Sequence, residues 1–356
     1  MQTKDFPIVS TKVAGVTEVF DLADLVERRR YFEAKVGKEI EKLKDYMDNN
    51  TFVGYMLGKK NAGKGTYSKL LTEIFGNERL SHISVGDIVR QITADYWDEN
   101  KRKELVEFLK KNYRGFVSLD EAIKSLENRD VSLLLPTELI LAVIKREIDK
   151  MPKKSLMIDG FPREMDQVSY SLYFRDLINY RDDPDFFVLF NVPEAVIDER
   201  IKYRRVCPIC KTPRNLKLMT TNKVGFDKGK NEFYLICDNP ECNEARMIGK
   251  EGDELGIEPL RKRLELDQKL IDVAFGLHGV PNVLLRNAIP VGEAGKFDNY
   301  ELTPEFVYEW DEKQQKVNVI EKPWTIKDDE GVESNSLMAP TVVVSMIKQM
   351  VEVLGL

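Results

Sequence analysis

A nine-residue run, Gly58-Lys59-Lys60-Asn61-Ala62-Gly63-Lys64-Gly65-Thr66, links an apolar stretch to a helical pattern, YSKLLTEIF. Glycines let a backbone turn tightly and aim its N–H groups inward. With the start of a helix they form an anion cradle, and Lys64 adds a point charge. The general phosphate-loop pattern places Ser or Thr directly after the Lys; here Gly65 intervenes and Thr66 follows. Asn61 is a residue that tolerates positive φ, and Lys59 and Lys60 are expected to add charge near the phosphates. Asp159 ends another apolar run and is followed by Gly160-Phe161-Pro162-Arg163 and Gln167. An acid at the end of a buried strand beside a phosphate loop can hold magnesium through water. The amide of Gln167 offers both a donor and an acceptor, which suits the edge of adenine. Finally, Cys207-Pro208-Ile209-Cys210 and Cys237 to Cys242 form two closely spaced pairs. Four thiolates around one tetrahedral ion is a structural zinc arrangement, with two disulfides as the alternative. A closed four-thiolate site has no open position, so it is given no catalytic role.

The elements that must position these groups are legible too. Residues 52–57, 80–84, 155–159, 186–191 and 283–286 read as buried strands separated by helical stretches. That alternation implies an α/β fold with a parallel sheet, which binds ligands at the C-terminal ends of its strands. Residues 1–20 carry little pattern. A long helix is expected from Asp21, its N-cap, to about Asn49, with Leu25, Phe32, Val36, Ile40, Leu43 and Met47 as the apolar stripe. Arg28, Arg29 and Arg30 read as a solvated face. Residues 91–130 are charged and helical in pattern. Residues 298–327 read as a β-hairpin around DEKQQ, expected to brace the sheet edge or serve as a contact surface, and residues 339–356 as a closing helix.

The chain has 356 residues, 42% hydrophobic and 32% charged, which is a globular composition. Its length suits about two domains, or one with large insertions. No apolar run approaches the roughly 20 residues that cross a bilayer. The N-terminus lacks a basic start followed by an apolar core, so a cytoplasmic protein is expected. Two histidines make histidine-based catalysis a poor expectation, and four cysteines are too few for a disulfide scaffold. Lys and Arg number 54 against 60 Asp and Glu, a net charge of −6. From Arg200 to Lys250 the balance is twelve to five, or +7, leaving −13 for the rest. A basic flap over a triphosphate is the simple reading; a zinc ribbon reading nucleic acid is the competing one.

The ending Gly63-Lys64-Gly65-Thr66 resembles the loop of the nucleoside monophosphate kinases, adenylate kinases above all, although Lys60 and Asn61 replace the usual Pro and Gly. The resemblance continues in order. His82-Ile83-Ser84-Val85-Gly86-Asp87 with Arg90 is similar to H-I-S-T-G-D-x-x-R. Residues 133–140 look like the family's acceptor-lining segment, with Ser132 and Thr137 in place of Gly and Asp. Asp159 to Gln167 matches D-G-F-P-R-x-x-x-Q. Arg200, Arg204 and Arg205 resemble the R-x-x-x-R-R that enters a lid, and Arg261-Lys262-Arg263-Leu264 the return from it. A four-cysteine lid occurs in some members at the same position.

This resemblance implies a P-loop NTPase with a five-stranded parallel core, a helical monophosphate-binding insert and a zinc-binding lid. Gly58, Ala62, Gly63, Lys64, Gly65, Thr66, Arg200 and Arg204 would bind ATP. Val85, Arg90, Leu135, Arg163, Gln167 and Arg263 would bind the monophosphate. Lys64, Asp159, Arg163, Arg204 and Arg263 would carry catalysis. Val85 stands where the family has Thr, which removes a hydroxyl from the acceptor side. The lid's usual R-x-D-D is replaced by Lys250-Glu251-Gly252-Asp253-Glu254, and Lys250 or Arg246 would have to supply the cation.

The expected activity is reversible phosphoryl transfer from Mg·ATP to AMP, by a monomer with structural zinc and no membrane or nucleic-acid partner. A UMP/CMP or broad-specificity kinase, and a non-catalytic nucleotide-binding protein with a nucleic-acid-reading ribbon, are the alternatives. The expected layout is an N-terminal helical extension (1–50), a core (51–82, 146–205, 256–297 and 336–356), an acceptor insert (83–145), a zinc lid (206–255) and a hairpin insertion (298–335).

Overall fold

The computed structural model describes residues 3–127 and 135–356. Ser132, Leu133 and Leu134 of the expected acceptor-lining segment lie outside the described residues.

Five parallel strands form the central sheet: β1 (Val53–Gly58), β2 (Leu80–Ser84), β3 (Ser155–Asp159), β4 (Asp185–Asn191) and β5 (Asn282–Arg286), in the order β2-β3-β1-β4-β5. They match the expected strands to within a residue. Every residue of β1 is buried, because helices cover both faces, and that is why its sequence is a continuous apolar run rather than an alternation. Successive residues still divide between two cores. Met56, Val188 and Phe190 face one cluster; Tyr55, Leu57 and Leu189 face the other. The chain leaves β1 toward one edge and returns to β4 on its other side, so the C-terminal ends of β1 and β3 border the crevice where such sheets bind ligands.

Helix α1 (Leu25–Asn49) starts later than the sequence pattern suggests. Asp24, not Asp21, is the N-cap, and its Oδ1 accepts from the N–H groups of Val26 and Glu27 at 2.8 and 2.9 Å. Asp21 instead caps a preceding turn through the Ala23 N–H. Leu25 is 44% exposed, so it does not belong to the stripe, whereas Phe32, Val36, Ile40, Leu43 and Met47 are all buried. Helix α2 (Lys64–Phe75) follows the glycine-lysine loop. Helix α3 (Arg261–Phe275) packs on β1 and β4, and helix α4 (Ala339–Val353) packs on α1, α2 and β5.

Between β2 and β3, helices Val85–Asp95, Glu99–Asn112, Leu119–Glu127 and Thr137–Asp149 form a separate small core around Ile92, Leu105, Leu109 and Leu139. The cysteine-bearing segment carries two short hairpins, Arg204–Val206 with Pro213–Asn215 and Lys223–Asp227 with Glu232–Ile236. Strands Pro304–Asp311 and Lys316–Pro323 form the expected long hairpin. It does not lie on the sheet edge. Trp310 stacks on Phe226 (centroids 5.2 Å apart) and Tyr308 packs on Phe233 (5.6 Å), so its partner is the cysteine-bearing segment.

Residues 3–20 are not idle either. The N–H groups of Thr11 and Lys12 donate to the Lys296 carbonyl, and Phe6 and Phe20 are buried. The fully buried Glu301 collects this region. Its carboxylate accepts from Thr11 Oγ1 (2.6 Å), Tyr31 Oη (2.6 Å) and the Asp298 N–H (2.7 Å), with Lys35 Nζ at 3.8 Å. Lys35 is itself buried and pairs with Asp298 at 2.6 Å. Removing one member would leave several buried polar groups unmatched. Glu301→Ala is therefore expected to lower the free energy of unfolding by roughly 3 kcal/mol, read by urea denaturation.

Candidate active site

The glycine-lysine loop begins where β1 ends. Asn61 adopts φ +65°, the left-handed conformation its side chain tolerates, and Gly63 adopts φ +100° as the cap of α2. That path lays the loop over the helix start, where the amides of Lys64 and Gly65 have no helical acceptor. Lys64 folds back over the loop, donating from Nζ to the carbonyl oxygens of Gly58 (2.9 Å) and Lys59 (3.4 Å), with Asp159 Oδ1 at 3.8 Å. Beneath the loop Tyr67 stacks on Phe190, with ring planes 6° apart.

Two clefts meet at this loop. One, of about 640 Å³, is lined by Ala62 to Thr66, Arg200 and Arg204; the other, of about 330 Å³, by Lys60, Arg90, Arg163 and Arg263. Asn61, Lys64, Ser84 and Asp159 line both. The guanidinium groups of Arg90 and Arg163 both approach Gly86, within 4 Å of where a side chain there would begin. Arg90 is held by Asp87 and remains exposed. Arg200 donates to the Ala62 carbonyl and to Asn287 Oδ1, both at 3.3 Å. Arg204 forms a two-pronged pair with Asp253, at 2.8 and 2.5 Å.

The cations outnumber their partners in the smaller cleft. Burial, and then the adjacent Arg263, lower the proton affinity of Arg163. Burial also lowers that of Lys60, helped by Arg263, Arg163 and Lys250. Of the two candidate replacements for the lid arginine, Arg246 is engaged elsewhere: it pairs with Asp227 and lies over the Tyr234 ring.

Asp267 was not flagged by the motifs. It is buried on α3, accepts from the Lys60 N–H (2.8 Å) and pairs with Arg263 Nη2 (2.7 Å). Its position four residues after Arg263 on a helical pattern was the available signal. Lys59, in contrast, is not a phosphate cation. It is buried and paired with Asp329 (2.7 Å) and Glu194 (3.2 Å) beside a different cavity. Alternate residues after β1 point to opposite sides, which spacing alone did not resolve.

Three expected acceptor residues stand behind the wall. Val85 is 1% exposed in the core. Gln167 is also 1% exposed; its Oε1 accepts from the Arg163 N–H (2.8 Å) and its Nε2 donates to Thr137 Oγ1 (3.2 Å). Leu135 packs between two apolar clusters.

Cys207, Cys210, Cys237 and Cys242 are free thiols whose sulfurs all lie within 4.8 Å of one another. Sulfurs bound to one tetrahedral ion at about 2.3 Å would stand ~3.8 Å apart. Cys210 and Cys237 are already at 3.6 Å, so the set fits a single ion.

An anion in the smaller cleft would relieve its excess positive charge. Inorganic tripolyphosphate is expected to raise the thermal midpoint, less so at high salt. Because Lys60 has a lowered proton affinity in the free protein, binding should restore it and take up protons at alkaline pH. Titration calorimetry in buffers of different ionisation enthalpy measures that uptake; proton release would contradict it.

Comparison with known proteins agrees with the geometry. No family model matches the chain. Among curated relatives, an adenylate kinase of Thermotoga petrophila is 37% identical over 221 residues, covering 61% of this chain and 82% of the relative. An adenylate kinase of Kosmotoga olearia is 31% identical over 201 residues, 56% of this chain and 74% of the relative. One of Clostridium tetani is 29% identical over 231 residues, 65% and 88% of the two chains. With the loop, the two clefts and the arginines in the same order as the motifs, the chain belongs to the adenylate kinase family.

Proposed function

We propose that this protein transfers a phosphoryl group reversibly from Mg·ATP to AMP, giving two ADP. The observation that carries this reading is the shared wall of the two clefts: Lys64 and Asp159 border both, so a donor and an acceptor phosphate would meet there. Such a transfer needs little covalent chemistry. Positioning, charge neutralisation and exclusion of water do the work. The Lys64 ammonium and the free amides of Lys64 and Gly65 hold the donor phosphates, with Thr66, Arg200 and Arg204 along the same cleft. Arg90 and Arg163 grip the acceptor phosphate. Arg263, anchored on Asp267, reaches the group in transit. Asp159 would hold, through water, the magnesium that accompanies ATP. Arg204 is held by Asp253 until a phosphate competes for it.

Zinc fits the four-thiolate cluster. The segment around it has only a small apolar core, with Leu235 and Met247 beside the cysteines, so bound metal would supply much of its folding free energy. Two lid arginines are paired within the lid, Arg214 with Asp238 and Arg246 with Asp227, and both are to that extent withdrawn from a nucleic-acid partner. Among the described residues no helix is long and apolar enough to cross a membrane. Unbridged thiols support a reducing, cytoplasmic setting, and a monomer is the expected state.

A coupled assay for ADP tests the activity directly. No ADP from Mg·ATP with any monophosphate would end the kinase reading. AMP is expected to outpace GMP, CMP and UMP; equal rates would mark a broad acceptor range. Arg163→Lys, which keeps the charge and loses the fork, is expected to cut kcat by about 10³-fold. Chelation or Cys237→Ser should release one zinc per chain, counted by a colorimetric dye, and expose the lid to protease. Zinc retention should also weaken as pH falls, because the thiols must shed protons to bind it.

A further inference from the structure

The hairpin of Pro304–Asp311 and Lys316–Pro323 has no place in the machinery above, yet it is bonded to both walls of the donor cleft. At its base the Thr303 N–H donates to the Ser336 carbonyl at 2.7 Å, and both residues line that cleft. Farther along, the Phe306 N–H donates to the Lys217 carbonyl at 2.7 Å. Tyr308 Oη donates to the Leu216 carbonyl (2.6 Å) and lies 3.0 Å from Thr220 Oγ1. Leu218 and Met219, inside the segment so gripped, line the facing wall. Beyond it, Trp310 lies on Phe226 and Tyr308 on Phe233 of the second lid hairpin. On the body side Trp324 is buried in the main core, and its carbonyl accepts from Asn335 Nδ2. The strands thus run from a fixed base to a lid wall.

We propose that this hairpin is a strut that positions the lid wall 216–220 over the bound nucleoside triphosphate, with Tyr308 and Trp310 as its positioning residues. The proposal rests on the kinase reading of the donor cleft. A wall held only through its own connections to the core would have to be ordered each time a nucleotide binds, at a cost in affinity. The strut orders it beforehand. None of its residues lines the smaller cleft, so the effect falls on the donor and leaves the acceptor alone.

Pro304 and Pro323 are register partners, so the strands can be removed by joining them through Asn-Gly in place of residues 305–322. This variant, and Trp310→Ala in the full chain, are expected to weaken Mg·ATP binding about tenfold by calorimetry, equivalent to ~1.4 kcal/mol. The KM for ATP should rise in step and the KM for AMP should stay unchanged. Amide exchange at 216–220 should quicken, and Trp310→Phe, which keeps the stack, should restore both. An unchanged affinity and exchange rate would overturn the strut, as would equal losses for ATP and AMP. If the unaltered protein binds Mg·ATP but makes no ADP, the kinase reading fails while binding and exchange still decide the strut.

Discussion

One buried carboxylate holds the site together. Asp267 takes the Lys60 N–H with one oxygen and the Arg263 guanidinium with the other, joining the loop after β1 to α3. Without that anion, Lys60, Arg163 and Arg263 would face one another in a partly buried space with only Asp159 to offset them. With it, burial and crowding still lower the proton affinities of Lys60 and Arg163, yet the three cations stay close enough to converge on a phosphate. The result is a cavity whose charge is balanced only when an anion fills it. Such pre-set charge is an effective form of catalysis for phosphoryl transfer, because no dipole has to reorganise during the reaction.

Much of this arrangement was readable before any coordinates. The strands were legible because a sheet covered on both faces demands uninterrupted apolar runs. Lys64, Arg163 and Asp159 were legible because chemistry restricts their spacing along the chain. Side-chain direction was not. Lys59 and Lys60 are neighbours, yet one is buried against Asp329 and the other borders the phosphate cleft. Gln167 has the groups to read a base, but its amide is occupied by the Arg163 N–H and Thr137. Asp267 had one local signal, Arg263 four residues earlier, but its bond to the Lys60 N–H and the contact of Asn287 with Arg200 join elements at separations no local pattern encodes. The helix N-cap moved from Asp21 to Asp24 for a local reason: both residues cap something, and only the geometry of the intervening turn decides which caps the helix.

The regions beyond the kinase motifs are built into the body rather than appended to it. Residues 10–12 and Phe20 meet the 296–301 segment, Glu301 gathers Thr11 and Tyr31, and α1 lies against α4. The hairpin enters between β5 and α4, the same connection that contributes Ser336 to Ala339 to the donor cleft. An insertion at that point can reach the lid without crossing the acceptor side.

The contact between α1 and α4 has a consequence in time. A ribosome adds about 5–20 residues per second, so α1 emerges roughly 15–60 s before the helix that covers it. During that interval Phe32, Ile40, Leu43 and Met47 have no partner from the closing helix, and for most of it the carboxylate that will receive Tyr31 has not been made. The chain therefore carries its first long helix with only the partial cover of α2 and the first strands until the closing helix is complete, an interval in which part of its apolar stripe is open to other partners.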